Sequence, residues 1–155
     1  MNSLMVSSIL KRIYTSFDMS TFSNRLRLQK VIYFIQEMGI NLGYSFSWYL
    51  YGPYCPDLTK DAYQIDNFSG VKGIIFEDEG TEKSFKNFEN KILIHKENDF
   101  WLEIASSIHL LKKVYHPSKS KEQIIEEIID KKSISRDKYD EISNIWDEMK
   151  KDGLI

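Results

Sequence analysis

Three histidines and one cysteine are the residues of this 155-residue chain best suited to hold a metal. His109 and His116 are seven positions apart and would share a helix face, where Cys55 or Glu103 could complete a metal site. The chain contains no C-x-x-C, H-x-x-x-H or H-E-x-x-H spacing. The pattern therefore favours histidines that are solvated or partly buried, and we expect no metal and no cofactor.

Cys55 is the candidate nucleophile. A catalytic cysteine needs a base and an oxyanion hole, and no histidine lies near Cys55 in the sequence. The stretches GPYCPD and SGVKG match neither nucleotide-binding fingerprint. The neighbouring carboxylates Asp78 and Glu79 are typical of a solvated loop. The residues favour a protein that is not an enzyme.

A basic cluster, Arg25, Arg27 and Lys30, is the candidate anion site. Residues 1–60 carry a net charge of +3, although the whole chain carries −2. Arg27 and Lys30 are three apart and share a helix face, whereas Arg25 and Lys30 are about one and a half turns apart. The cluster is either an ordinary solvated face or a contact for an acidic partner, a phosphate or nucleic acid.

The stretch FSWYLYGPYCPDL, residues 46–58, contains five aromatic residues, two prolines, one glycine and the cysteine. Trp48 and Tyr51 combine a large apolar area with a polar tip, which suits the edge of a core or an interface. Gly52-Pro53 favours a tight turn after them. We therefore interpret the stretch as core and binding surface combined.

The elements that must position these residues are mostly helical. Apolar residues at helical spacing and end signals define them. Before residue 98 the sequence predicts a helix over 3–16, a helix from the N-cap Ser23 to the C′ residue Gly39, a short extended segment over 46–51 that opens into a loop or small hairpin, a helix over 56–67 with Pro56 in its first turn, a strand over 71–78 and a helix over 81–93.

The sequence of residues 98–155 predicts three successive helices. The first, over 98–116, carries one apolar stripe and is ended by Pro117. Ser120 caps the second and Ser135 caps the third, which stops at Gly153. This order is that of a trihelical unit similar to winged-helix domains, with a plain helical hairpin on a shared core as the alternative.

The second and third of these helices are rich in acid, which opposes docking onto phosphates. The carboxylates are Glu122, Glu126, Glu127, Asp130, Asp137, Asp140, Glu141, Asp147 and Glu148. Nucleic-acid contacts would therefore have to come from Arg25, Arg27 and Lys30.

Two motifs together resemble a known family. LQKVIYFIQEMG (residues 28–39) followed by FSWYLYGPYCPDL resembles the YwgA-like proteins and, more distantly, the Panacea domain of phage-associated GepA-like proteins. Tyr54 stands where Panacea sequences often have a valine. The matching positions are Leu28, Gln29, Lys30, Tyr33, Trp48, Tyr49, Tyr51, Gly52 and Pro53. The resemblance implies a mainly helical domain without known catalysis, and in the Panacea case a protein that binds and neutralises a toxin.

We expect a mainly α fold with minor β content, as one domain over 1–155 with a motif-bearing part (1–97) and a trihelical part (98–155). Gln29 and Lys30 would hydrogen-bond carbonyls of the aromatic loop and fix its shape. The predicted function is a cytoplasmic protein-interaction module, antitoxin-like or defence-linked, with a nucleic-acid-binding regulator as the alternative. The expected partner is another protein such as a toxin, and a homodimer stays open. No membrane association and no signal peptide are expected.

Overall fold

Helices dominate the computed structural model, which describes residues 2–65 and 70–155. The prediction of a mainly α protein with a small β-hairpin is confirmed. In the described residues the elements are α1 (Asn2–Ile13), α2 (Phe22–Glu37), β1 (Ser47–Tyr49), β2 (Gly52–Tyr54), α3 (Pro56–Tyr63), α4 (Glu79–Lys91), a 3₁₀ turn (Leu93–His95), α5 (Asp99–His109), a π-helix (Leu110–Tyr115), α6 (Lys121–Lys132), a second 3₁₀ turn (Arg136–Lys138) and α7 (Tyr139–Lys151).

Helix α2 lies at the centre of the fold and packs along α5. It is buried around most of its circumference, as expected of a helix surrounded by other elements. It ends before Gly39, whose φ of +110° confirms the predicted C′ glycine. The predicted N-cap, Ser23, is wrong because the Thr21 side chain accepts the hydrogen bond from Asn24 N–H. Ser23 lies inside the helix and donates to Asp99 Oδ2 instead.

The predicted long helix over 98–116 changes its geometry halfway. Regular α-helix ends at His109 and continues as the π-helix, in which His116 N–H donates to Leu111 O at 2.7 Å. The insertion widens the turn and redirects the side chains after residue 109. The predicted end before Pro117 is correct.

Helices α5, α6 and α7 contact one another pairwise, as a trihelical arrangement requires. Ser120 forms a capping box with Gln123 at the start of α6, which confirms that cap. The Ser135 cap is wrong, because its side chain makes no capping bond and a 3₁₀ turn precedes α7. Residues 152–155, after α7, contain no strand that could form a wing.

The predicted strand over 71–78 is absent, and this described segment runs across α1 as irregular chain. Ile74 N–H donates to Ser8 O at 3.1 Å, and Gly73 lies so close to α1 that an added Cβ would be 3.2 Å from Arg12 Cα. The predicted helix over 56–67 ends at Tyr63. Its last two predicted positions, 66 and 67, lie outside the described residues.

One cluster of buried side chains receives residues from each α-helix of the described chain. Around α2 it includes Leu28, Tyr33 and Phe34. None of the described helices has the length and apolar character needed to cross a bilayer.

Candidate interaction site

The aromatic stretch forms an antiparallel hairpin whose tip faces solvent. Tyr49 pairs with Gly52, and Trp48 pairs with Pro53. Leu50 and Tyr51 form the turn, and their side chains are 67% and 45% exposed. Gly52 adopts a φ of +94°, a conformation that side-chain-bearing residues rarely take. The glycine therefore makes this short turn possible.

Gln29 of α2 holds the end of the hairpin with both ends of its amide. Its Oε1 accepts from Cys55 N–H at 2.9 Å, and its Nε2 donates to Cys55 O at 3.1 Å and to Thr59 Oγ1 at 2.8 Å. Gln29 is buried, so losing any of these bonds would leave a polar group unpaired.

Lys30 lies beside Gln29 and holds the middle of strand β2. Its ammonium donates to Pro53 O at 2.7 Å, and its side chain is only 2% exposed. The predicted hydrogen bonds from Gln29 and Lys30 to loop carbonyls are thus confirmed. These bonds fix the backbone of the hairpin from below.

On the side away from α2, the hairpin packs against α5. Gly52 packs so closely on this helix that a Cβ at Gly52 would overlap the hydroxyl oxygen of Ser107. That hydroxyl is buried and donates to Glu103 O at 2.6 Å. The hairpin is therefore held between α2 and α5, and the glycine is required by packing as well as by its backbone angle.

Two ammonium groups beneath the hairpin, those of Lys30 and Lys132, interact with the carboxylate of Glu103. The Lys132 ammonium lies 2.9 Å from Glu103 Oε2 and 5.1 Å from the centre of the Trp48 ring. Burial lowers the pKa of Lys132, and the neighbouring Glu103 carboxylate opposes that shift. Burial, and secondarily the charge of Lys132, lowers the pKa of Lys30 to about 7, while Glu103 opposes the shift.

Tyr33, another motif position, belongs to the core beneath the hairpin. Its hydroxyl and His109 Nδ1 are 2.7 Å apart, and both side chains are buried. Burial, with Lys113 adding repulsion, lowers the pKa of His109 to about 4, so the ring is neutral at pH 7. Burial also raises the pKa of Tyr33. This neutral pair holds α2 to α5 at the point where α5 becomes a π-helix.

Trp48 is half-buried between the hairpin and the C-terminal helices. Its backbone N–H donates to the Tyr115 hydroxyl at 2.9 Å, and its ring lies near Lys132 and Lys131 of α6. Trp48 thus connects the hairpin to α6 and the π-helix, whereas the Tyr49 and Tyr51 side chains are about half exposed.

The outward side chains of the hairpin, together with Phe22, form what we call the hairpin surface, composed of Phe22, Tyr49, Leu50 and Tyr51. Each of the four is at least 45% exposed. The Phe22 and Tyr51 rings meet edge to face with centroids 4.9 Å apart, so the start of α2 and the hairpin tip form one patch.

Below this surface lies a cavity of about 210 Å³, which we call the aromatic pocket. It is bounded by α2 on one side and the hairpin on the other. Its lining residues are Phe22, Arg25, Leu26, Gln29, Lys30, Tyr49, Tyr51, Tyr54 and Thr59.

The predicted basic cluster is not one surface. Arg27 forms an ion pair with Asp99 at 2.6 Å and also donates to Glu97 O. Lys30 is buried under the hairpin and does not share a solvated face with Arg27. Arg25 and Lys30 both line the aromatic pocket, and Arg25 Nη1 donates to Met19 O at 2.9 Å.

The residues considered for metal or nucleophilic chemistry lie apart. His109 contacts Tyr33, whereas His116 lies 3.5 Å from Glu127. Cys55 is buried, with its backbone bonded to Gln29. In the ranges that the structure describes, no three His, Cys, Asp or Glu side chains are grouped as metal ligands would be.

Sequence reasoning missed Phe22, Ser107, Glu103 and Lys132 as parts of the site. Each is far in sequence from the hairpin that it contacts, so no local pattern identifies it. One signal was available for Lys132, which lies on the same side of its helix as Ile125 and Ile128, where an unpaired charge is costly.

Comparison with family models, curated proteins and solved structures finds no match to this chain. The resemblance to YwgA-like and Panacea proteins therefore stays a prediction that depends on the two quoted motifs.

Proposed function

We propose that this chain is a non-enzymatic protein-interaction module whose hairpin surface binds another protein. The observation that carries the proposal is the exposure of four large apolar side chains, three on a hairpin that buried hydrogen bonds hold in place and one, Phe22, at the adjoining start of α2. Exposed apolar patches are a common mark of protein interfaces, and tyrosine is enriched at their energetic centres.

Rigidity of the hairpin strengthens the proposal. A flexible loop would lose conformational entropy on binding, which lowers affinity. Here Gln29 and Lys30 hold the strand from α2, and Gly52 packs on α5, before any partner arrives. The hairpin surface is therefore organised in advance, as an efficient binding surface should be.

The partner class that we propose follows from the resemblance. Panacea-like sequences imply toxin neutralisation, so a toxin or another defence-linked protein in the cytoplasm is the proposed partner. The alternative of nucleic-acid binding gains no support from the described residues, since Lys30 is buried under the hairpin and Arg27 is paired with Asp99.

Site-specific photo-cross-linking in the native host tests the proposal. A photoreactive amino acid replaces Leu50 on the hairpin surface or, as control, Ile94, which is 66% exposed in the 3₁₀ turn Leu93–His95. We expect one protein to cross-link from position 50 and not from position 94.

Reconstitution with the purified cross-linked protein completes the test. Tyr51→Ala should weaken binding by at least about tenfold, as expected for a central tyrosine, whereas Tyr63→Ala should not. Tyr63 is a matched control because it is a similarly exposed tyrosine outside the hairpin surface. Equal cross-linking from positions 50 and 94, or normal binding by Tyr51→Ala, would contradict the proposal.

A further inference from the structure

The aromatic pocket has the size of one side chain. Its volume of about 210 Å³ lies below the range of roughly 300–1,000 Å³ that is typical of sites for small molecules. Tyrosine and phenylalanine rings form its walls, so an apolar group entering it would be buried against aromatic faces. A single large apolar side chain of a bound protein segment matches this space better than a whole metabolite.

The charged side chains in the described lining of the pocket are basic. Among the residues that the structure describes, the lining includes two basic residues, Arg25 and Lys30, and no acidic residue. The Lys30 ammonium is buried and donates to Pro53 O. The guanidinium of Arg25 is therefore the cation that an incoming group would meet at the rim.

Arg25 differs from the other three arginines of the chain. Arg12 pairs with Glu82 and Glu89, Arg27 with Asp99, and Arg136 with Glu126. Among the described residues no carboxylate lies within ion-pair distance of Arg25, whose guanidinium makes one hydrogen bond there, to Met19 O. A guanidinium has five N–H donors, so Arg25 retains donors for an external acceptor.

We propose that the aromatic pocket binds a partner segment by one large apolar side chain next to a carboxylate, and that this carboxylate pairs with Arg25. The proposal rests on the proposed function and adds the chemistry of the partner. An arginine can hold a carboxylate through two parallel hydrogen bonds, which fixes orientation as well as supplying energy. The aromatic pocket supplies affinity, and Arg25 selects acidic segments over neutral or basic ones.

Nucleic acid is a less suitable occupant, although a base could stack on the tyrosines. Tracking a phosphate backbone needs several exposed cations along a groove, and the described lining of this pocket offers one cation that is not buried, Arg25. One guanidinium next to one apolar pocket is complementary to a peptide segment that has one carboxylate next to one large apolar side chain.

Peptide selection on the folded chain tests the proposal. A phage-displayed library of random dodecapeptides is selected on the purified protein, and the enriched sequence is made as a fluorescent peptide. A twin peptide carries Gln or Asn in place of each Glu or Asp. We expect an enriched pattern of a large apolar residue beside an acidic one, and binding at least about tenfold weaker for the twin.

Variants assign the preference to Arg25. Arg25→Gln should bind the two peptides equally, while Arg25→Lys should retain part of the preference because it keeps the charge. Arg136→Gln, which removes an arginine that is paired with Glu126, should behave as wild type. Thermal melts show whether each variant is folded at the assay temperature.

Four results would overturn the proposal: no enrichment over an unrelated bait, equal affinity of the two peptides for the wild-type chain, an Arg25→Lys variant as unselective as Arg25→Gln, or Arg25-dependent binding of a dT₁₂ or U₁₂ strand. None of them decides the proposed function, since the cross-link from position 50 does not depend on Arg25. Conversely, an equal cross-link from positions 50 and 94 would remove the proposed function whatever the peptides show.

Discussion

Gly52→Ala should destabilise the protein by about 2–4 kcal/mol, from two separable causes. The first is the backbone: a φ of +94° costs an alanine about 1–2 kcal/mol. The second is contact, because the new Cβ would overlap the Ser107 hydroxyl. That hydroxyl would have to rotate away from Glu103 O, its acceptor at 2.6 Å, and be left buried without a partner, which costs about 1–2 kcal/mol more.

Urea denaturation measures the total, and a matched glycine separates the causes. Gly43 has a φ of +84°, and a Cβ there would meet nothing within 4 Å. Gly43→Ala should therefore cost only the backbone part, about 1–2 kcal/mol. For a domain of this size, each kcal/mol corresponds to roughly 2–4 °C in Tm, so the two variants should be distinguishable in thermal melts as well.

A second substitution isolates the contact. Ser107→Ala removes the hydroxyl and leaves Ser107 Cβ at an ordinary 3.5 Å from the added methyl group. In the Gly52→Ala background it should restore about 1–2 kcal/mol, while alone it should have a small effect. If Gly52→Ala costs no more than Gly43→Ala, or if Ser107→Ala restores nothing, the hairpin does not pack on α5 as described.

Four further outcomes are expected. For Lys30, a folded pKa of about 7 lies below the unfolded value of 10.5, so the unfolded chain binds more protons and stability rises with pH. The stability gap between wild type and Lys30→Met should change by about 2 kcal/mol between pH 7 and pH 9 in urea titrations, and a constant gap would contradict the lowered pKa. His109 has a pKa of about 4 in the folded chain and 6.5 in the unfolded chain, so the unfolded chain binds the proton first as the pH falls. The free energy of unfolding of the wild type should therefore drop by about 3 kcal/mol between pH 6.5 and pH 4. A His109→Gln variant that loses as much stability over that range would refute the assignment. Gln29→Leu removes three hydrogen bonds, two of them buried, and should lower the free energy of unfolding by about 2–4 kcal/mol; a loss below about 1 kcal/mol would show that the amide does not hold the hairpin. A gel shift with duplex DNA at low salt should show no retardation, because acidic residues dominate α6 and α7, and a salt-sensitive shift would favour the regulator alternative.

Local patterns predicted the elements whose determinants are local. The capping box at Ser120 and the glycine at position 39 are signals within four residues of the helix end that they define. The apolar stripe of α5 was visible because helical spacing repeats over three turns. The π-helix was not predictable in this way, since Leu110–Tyr115 has the composition of an ordinary helix.

The wrong strand over 71–78 shows where periodicity is insufficient. A strand needs a partner edge to pair its backbone, and only the protein as a whole decides whether one is present. Here the segment meets α1, where Ile74 N–H donates to Ser8 O. Ile75, in the middle of the supposed strand, is 80% exposed.

The candidate site was predictable in its centre and not at its rim. Gln29, Lys30 and the aromatic loop were identified together because all belong to the quoted motifs. The amide and ammonium donors are on the helix that directly precedes the loop, whose backbone carbonyls need hydrogen-bond donors. The separation of Arg25 from Arg27 follows from helix geometry, since residues two apart point to nearly opposite sides. Which of them meets the hairpin depends on the packing of α2 against α5, and that is set by many distant residues.

A buried lysine at the centre of such a site has a cost that the fold must compensate. Transfer of an ammonium from water into a protein interior is unfavourable, and the lowered pKa of Lys30 reflects that cost. Methionine would fill similar space without this penalty, yet it would leave Pro53 O without its donor. The lysine therefore contributes to the position of strand β2 more than to stability, and the aromatic pocket, which has Lys30 in its lining, depends on that position. It follows that Lys30→Met should disturb peptide binding even at a pH where the variant is as stable as the wild type.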